Sequence, residues 1–162
     1  MQDLQAQLLE MWDRQSGMIA NISRLIDDSS KQFLPSPDGW SIAKHLAHVH
    51  EVRYWWLTKV APDLANNLGE SFQEDGETPL EDLQTIKDEL AKSAHAVRTA
   101  LERELRDETQ QTGPYSHPVQ YLGHMVWHEG WHAGIILLAL RLNGREPAEQ
   151  WEETNLWGIW RS

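Results

Sequence analysis

His117–Gly144, reading HPVQYLGHMVWHEGWHAGIILLALRLNG, is the stretch that decides the fold. It reads as one helix with both ends marked. Ser116 or His117 can cap it, Pro118 suits its first turn, and Gly144 follows the last turn as a left-handed stop. At about 100° per residue, Tyr121, Met125, Ile135, Ile136, Ala139 and Leu142 share one arc, and His124, His128 and His132 fall within it. A buried imidazole needs a partner for each nitrogen, and three in one column can meet that need by binding a metal. Two His four residues apart on a helix can point at one cation.

Working outward, three more amphipathic segments come into view. Residues 3–27 form a first helix on which Leu4, Leu8, Met11, Trp12, Ile19, Ile22 and Ile26 recur at steps of three and four. The 34–39 stretch, LPSPDG, is a loop, and Ser41 caps a second helix that runs to about Val60, ahead of Pro62. Its apolar arc is Ile42, Leu46, Val49, Val52, Trp56 and Val60. Residues 62–77 are a long loop with room for a short helical turn, and loops of that length are often functional. Thr78-Pro79-Leu80-Glu81 has the form of a capping box and predicts the start of a third helix, continuing through Leu83, Ile86, Leu90, Ala94, Val97 and Leu101 to about Leu105. A turn is predicted at Gln110–Pro114, and the tail from Pro147 shows no helical period. The fold class expected is all-α: an antiparallel four-helix bundle in a single domain spanning 1–162.

Composition narrows the function. A formal net charge of −11, with no clustering of Lys and Arg, argues against a nucleic-acid partner. With no cysteine, disulfides, thiolate ligands and a cysteine nucleophile are excluded. The N-terminus lacks the pattern of a secretory signal, and the aliphatic run at 135–140 is too short to span a bilayer. A cytoplasmic protein with no membrane partner is the default expectation. The rows of charge at Glu102, Arg103, Glu104 and Arg106 read as solvated faces, and the nine tryptophans as core or helix-interface residues. Trp127 and Trp131 flank the histidine column, which suits an aromatic wall.

A mononuclear site around His128 and His132 needs a further ligand from another element. The second helix offers three candidates: His45 is nearest the middle of the apolar arc, His48 lies at one edge and His50 at the far edge, so periodicity alone does not choose His48. HEGWH at 128–132 also matches the H-E-x-x-H pattern of zincin peptidases, with Glu129 as the would-be general base. The longer metzincin pattern fails, because Ile135 stands where glycine is required and no third His follows. A glutamate ligand would have to come from Glu149, Glu152 or Glu153 in the tail. Glu129 lies about 100° around the helix from His128, towards the edge of the arc, which predicts that it orients a ligand or meets solvent. A carboxylate-bridged di-iron centre is disfavoured, since the inner faces lack the required Glu-x-x-His pairs.

Two motifs carry a family resemblance. GWSIAKHLAH at 39–48 resembles the second-helix signature of the DinB-like (damage-inducible-type) metalloprotein superfamily, in which a ligand histidine follows the serine by seven residues and lands on His48. HMVWHEGWHAG at 124–134 resembles the family's last-helix motif, whose two ligands fall on His128 and His132. The resemblance covers nearly the whole chain. It implies a four-helix bundle, often a homodimer, holding one divalent ion, commonly zinc or nickel, through His48, His128 and His132. Some relatives are transferases that use a low-molecular-weight thiol such as bacillithiol or mycothiol, or related isomerases. This chain departs from the usual H-x-x-H-H-R-G-Q run by carrying Trp131, Ala133 and Ile135 in place of the second His, the Arg and the Gln. Three neutral imidazoles leave a position open for water or a thiolate, the layout of a catalytic site. The expected function is that of a metal-dependent transferase or hydrolase acting on a small molecule. The alternatives are a non-enzymatic metal-binding bundle and, less favoured, an H-E-x-x-H metallopeptidase.

Overall fold

The computed structural model describes residues 4–106 and 113–161. Four long helices dominate: α1 (Leu4–Leu25), α2 (Ile42–Val60), α4 (Leu83–Arg106) and α5 (Pro118–Leu142), with single turns at α3 (Pro62–Ala65) and α6 (Glu149–Glu152). The fold is all-α, a helical bundle. Ser41 caps α2 by accepting from the Lys44 amide at 3.2 Å. His117 caps α5 by accepting from the Val119 amide. Gly144 ends α5 at φ 72°, with its amide on the Arg141 carbonyl and that of Arg145 on Leu140, a Schellman stop.

α4 begins four residues later than a cap at Thr78 requires for its first turn. Asp82, not Thr78, receives the amides of Gln84 and Thr85, at 3.1 and 3.3 Å. Thr78 belongs instead to a small hairpin that turns at Gly76 (φ 69°), where Phe72 pairs with Pro79 and the Gln73 amide reaches the Thr78 carbonyl. The tail also differs from expectation. After α6 the chain continues as a π turn at Glu153–Trp157 and a 3₁₀ turn at Gly158–Trp160, with Leu156 fully buried. Turns of three to five residues are too short to show a period in sequence. The turn expected at Gln110–Pro114 lies, as far as Thr112, outside the described residues.

α1 and α2 each pack along α4 and α5, so α1 faces α2 across the diagonal. The Trp12 indole donates to the Ala94 carbonyl and Lys87 to that of Ile26, so α1 and α4 run antiparallel. Arg53 meets Leu90 while Asp63, in α3, meets Arg103, so α2 and α4 run parallel. The bundle is therefore up-down-down-up, and the expected alternation fails at this pair. The reason is the 61–82 connection, whose 22 residues are ample to return the roughly 28 Å length of α2. Ser71 pins it to α2 through the Ala47 carbonyl.

Among the described residues the apolar interior falls into two clusters. One holds Ile19, Ile22, Leu46, Val49, Ile86, Leu90 and Ile136; the other Trp12, Leu57, Val97, Leu101, Tyr121 and Met125. Between them α2, α4 and α5 contribute Arg53, Ser93 and Glu129, all buried. Two expectations about exposure need correction. Glu104 is buried, unlike Glu102, Arg103 and Arg106 in the same row. On α5, Leu142 is exposed whereas Leu122, Ala133 and Leu140 are buried, so the inward arc is rotated towards Glu129.

Candidate metal centre

Antiparallel packing of α2 on α5 brings His48, His128 and His132 together. One ring nitrogen from each lies within 4.8 Å of the others, a spacing that can hold a metal ion. His128 and His132, one turn apart, place their Nε2 atoms 3.1 Å from each other. The His48 ring centre stands 5.0 Å from that of His132 and 5.3 Å from that of His128. His132 is buried and the other two are half-buried, so the cluster sits at the rim of the bundle.

The remaining histidines divide by partner. His45 is buried, with its Nδ1 2.8 Å from Nδ1 of His132, so that one ring donates to the other. His50 faces the carbonyl oxygens of Glu89 and Gly69, at 3.0 and 2.9 Å, and ties the crossover to α2 and α4. His124 shares the column of His128 and His132 but pairs with the Tyr115 hydroxyl at 2.6 Å. Burial pushes the Tyr115 phenol up to about 12, so the hydroxyl keeps its proton beside this ring.

Burial keeps the imidazoles of the cluster neutral. It pushes His132 down to about 3, with the neighbouring His128, His45 and His48 acting in the same direction. His128 is pushed down to about 4 by burial and then by His48 and His124, and His45 to about 4 by burial and then by His48. His48 is lowered too, by burial and by Lys44. Neutral imidazoles with in-plane lone pairs are the donor set that zinc, nickel and similar ions take. The residues present therefore fit a divalent metal.

Trp40 forms the wall of this cluster. Its ring lies 5.2 Å from His48, 5.5 Å from His45 and 6.4 Å from His132, in the last case stacked at 16°. Trp131 adds an edge contact to His132 at 4.8 Å. Trp127, the other residue expected in an aromatic wall, is exposed.

Glu129 does not lie at the edge of the arc. Its carboxylate is buried and accepts two hydrogen bonds from Arg53, at 2.6 Å from Nε and 2.8 Å from Nη2. Arg53 also donates to the Leu90 carbonyl at 2.8 Å and sits over the Trp12 ring. Sequence reasoning did not find this pair. The one available signal was an arginine on α2 five residues beyond His48, at the level where antiparallel packing sets it against Glu129.

None of the helices among the described residues is long and apolar enough to cross a membrane. Comparisons with curated proteins and with solved structures return no match. A family model, described as the DinB family, matches residues 1–159. An all-α bundle, a three-histidine cluster on α2 and α5 and a match over nearly the whole length lead to one assignment: the chain belongs to the DinB family.

Proposed function

We propose that His48, His128 and His132 bind one divalent ion, zinc or nickel, and that the centre serves a transferase or hydrolase reaction on a small molecule. The observation that carries this reading is the convergence of three neutral imidazoles at the rim of the bundle. A closed structural site engages four protein ligands, whereas this cluster supplies three and leaves a coordination position for substrate. A bound ion supplies Lewis acidity and lowers the pKa of whatever enters that position. The chain does the rest: His45 orients His132, Trp40 shields the cluster on one side, and Tyr115 holds His124 away. With no cysteine present, a sulfur nucleophile has to arrive as a low-molecular-weight thiol.

The test is elemental analysis of the purified protein, followed by a screen of the zinc- and nickel-loaded forms against thiols paired with electrophiles. Turnover that needs both metal and His128 supports the enzyme reading. A second reading is a non-enzymatic metal-binding bundle. It is favoured by the apolar residues at 131, 133 and 135 and corresponds to metal-dependent stabilisation without turnover. A cytoplasmic homodimer with no nucleic-acid or membrane partner completes the proposal. The dimer is supported by the exposed Trp127, Leu138 and Leu142 on α5, and sedimentation at micromolar concentration tests it.

A further inference from the structure

Beside the histidine cluster lies a cavity of about 240 Å³ lined by Pro35, Asp38, Trp40, His45, Trp131 and Ile135. Apart from Asp38 and His45 its side-chain lining is apolar or aromatic, and both tryptophans are exposed, which packing alone does not require. His45 is the polar exception among the buried groups here. It is 4% exposed, its Nδ1 is used by His132, and its Nε2 is buried with no hydrogen-bond partner among the described residues. A buried nitrogen left unmatched is costly, and a bound ligand can match it.

The direction of the proton follows from the neighbouring site. The Nε2 of His132 faces His128 within the cluster, so a neutral His132 acting as ligand keeps its lone pair on Nε2 and its proton on Nδ1. That Nδ1–H donates to Nδ1 of His45, across 2.8 Å, which leaves the His45 proton on Nε2. In the metal-bound protein His45 is therefore a hydrogen-bond donor with no acceptor.

We infer that this cavity is a substrate subsite for a single planar or aromatic ring bearing a neutral hydrogen-bond acceptor, such as a carbonyl, which His45 Nε2–H would bind while Trp40, Trp131 and Ile135 hold the ring. An enclosed cavity of about 150 Å³ is enough for benzene, so an open cleft of 240 Å³ has room for a substituted ring. Asp38 in the lining selects against a carboxylate as the acceptor. The inference rests on the metal reading for the direction of the proton and on the cavity for the rest.

Benzamide and toluene, which share a ring and differ in the acceptor, are the probes. Their binding is followed by ligand-observed NMR on the zinc-loaded protein, with zinc content measured on the same samples. Benzamide is expected to bind more tightly than toluene. His45→Phe should weaken benzamide by about five- to tenfold, the worth of one hydrogen bond, and leave toluene unchanged. Trp131→Ala should weaken both probes by a similar factor. Trp131 is 56% exposed, so its truncation spares the core and keeps the test valid if His45→Phe does not fold. Equal benzamide binding in the parent and in Trp131→Ala, with zinc retained, overturns the subsite and leaves the metal reading standing. Failure of the parent protein to retain zinc overturns the metal reading and the proton direction with it, whichever probe binds.

Discussion

Replacing Glu129 with Gln tests whether this residue is a structural partner or a zincin base. In the parent, Arg53 and Glu129 are 1% and 0% exposed and joined by two charge-assisted hydrogen bonds of 2.6 and 2.8 Å. Glutamine keeps one acceptor oxygen but turns an NH₂ towards the guanidinium, leaving a buried positive charge without its counter-ion. The Leu90 carbonyl and the Trp12 face still touch Arg53, but neither carries a full charge. Removing one member of a buried pair typically costs about 3–5 kcal/mol. Set against a total stability of about 5–15 kcal/mol, that is a large fraction. At a urea dependence of about 2 kcal/mol per molar, the midpoint should fall by roughly 2 M. The assay is urea unfolding followed by circular dichroism, with chelator present so that metal linkage does not contribute. A double variant, Arg53→Met with Glu129→Leu, should lose less than Glu129→Gln alone, since no lone charge remains. A loss below about 1 kcal/mol with an unchanged urea dependence would refute the reasoning. In parallel, neither parent nor Glu129→Gln should cleave an unfolded protein substrate; peptidase activity lost on Glu129→Gln with metal retained would restore the zincin reading.

His48→Ala is expected to abolish stoichiometric zinc binding, while His45→Ala weakens it and leaves it measurable, because His45 acts through His132; elemental analysis after gel filtration decides, and the opposite order would make His45 the ligand. Saturating zinc should stabilise the fold by about 2.7 kcal/mol at a hundredfold excess over Kd, a rise of roughly 5–10 °C in melting temperature, whereas the chelated protein should remain folded at 25 °C. Unfolding on chelation would show that the apolar clusters do not suffice, and an unchanged melt would remove the site. In the chelated protein, acid should destabilise. Because burial lowers His45 and His128 from 6.5 to about 4 and His132 from 6.5 to about 3, the unfolded chain binds protons that the folded chain does not. Their contribution is fully present above pH 6.5 and is lost as pH falls from there towards 4 and 3. The slope is at most about 1.4 kcal/mol per pH unit for each imidazole, and less at half-buried His128, where solvent screens it. Urea midpoints at pH 7, 6 and 5 measure it, and a flat profile contradicts neutral burial.

The pattern of the long helices and the pairing of His128 with His132 were legible in the sequence because each rests on local periodicity. His128 and His132 are one turn apart on any α-helix, and Gly144 marks the stop by its backbone freedom. What local pattern could not show was direction of packing. α5 is apolar around most of its circumference, so its amphipathy gives a poor bearing, and a modest rotation of the inward arc moved Glu129 from the supposed edge into the core. The same limit explains the choice on α2. The wheel placed His45 at the centre of the arc, and His45 is indeed buried; yet the group spaced for a metal includes His48, from the edge. A centre that admits substrate, as proposed for this one, belongs at the rim, where helices part, not in the middle of an apolar face. Thr78 failed as a cap for a further reason. Its capping-box pattern competed with a hairpin whose hydrogen bonds come from residues 71–73, and that longer-range pairing won.

The ion pair and the histidine cluster also constrain each other. Glu129 follows His128 directly, and Arg53 lies five residues beyond His48 on the facing helix, so the same α2–α5 contact carries both. A one-residue slip of α5 along α2 moves its side chains by about 1.5 Å axially and turns them by about 100°, which no bidentate Arg–carboxylate pair of these distances survives. The buried pair therefore fixes the register that holds His128 and His132 opposite His48. A hydrophobic replacement of the pair restores burial but not this constraint. The Arg53→Met/Glu129→Leu variant is accordingly expected to keep most of its stability while its zinc Kd rises by about tenfold or more. Competition with a chromophoric chelator gives that Kd, and an unaltered value would show that the apolar clusters set the register unaided.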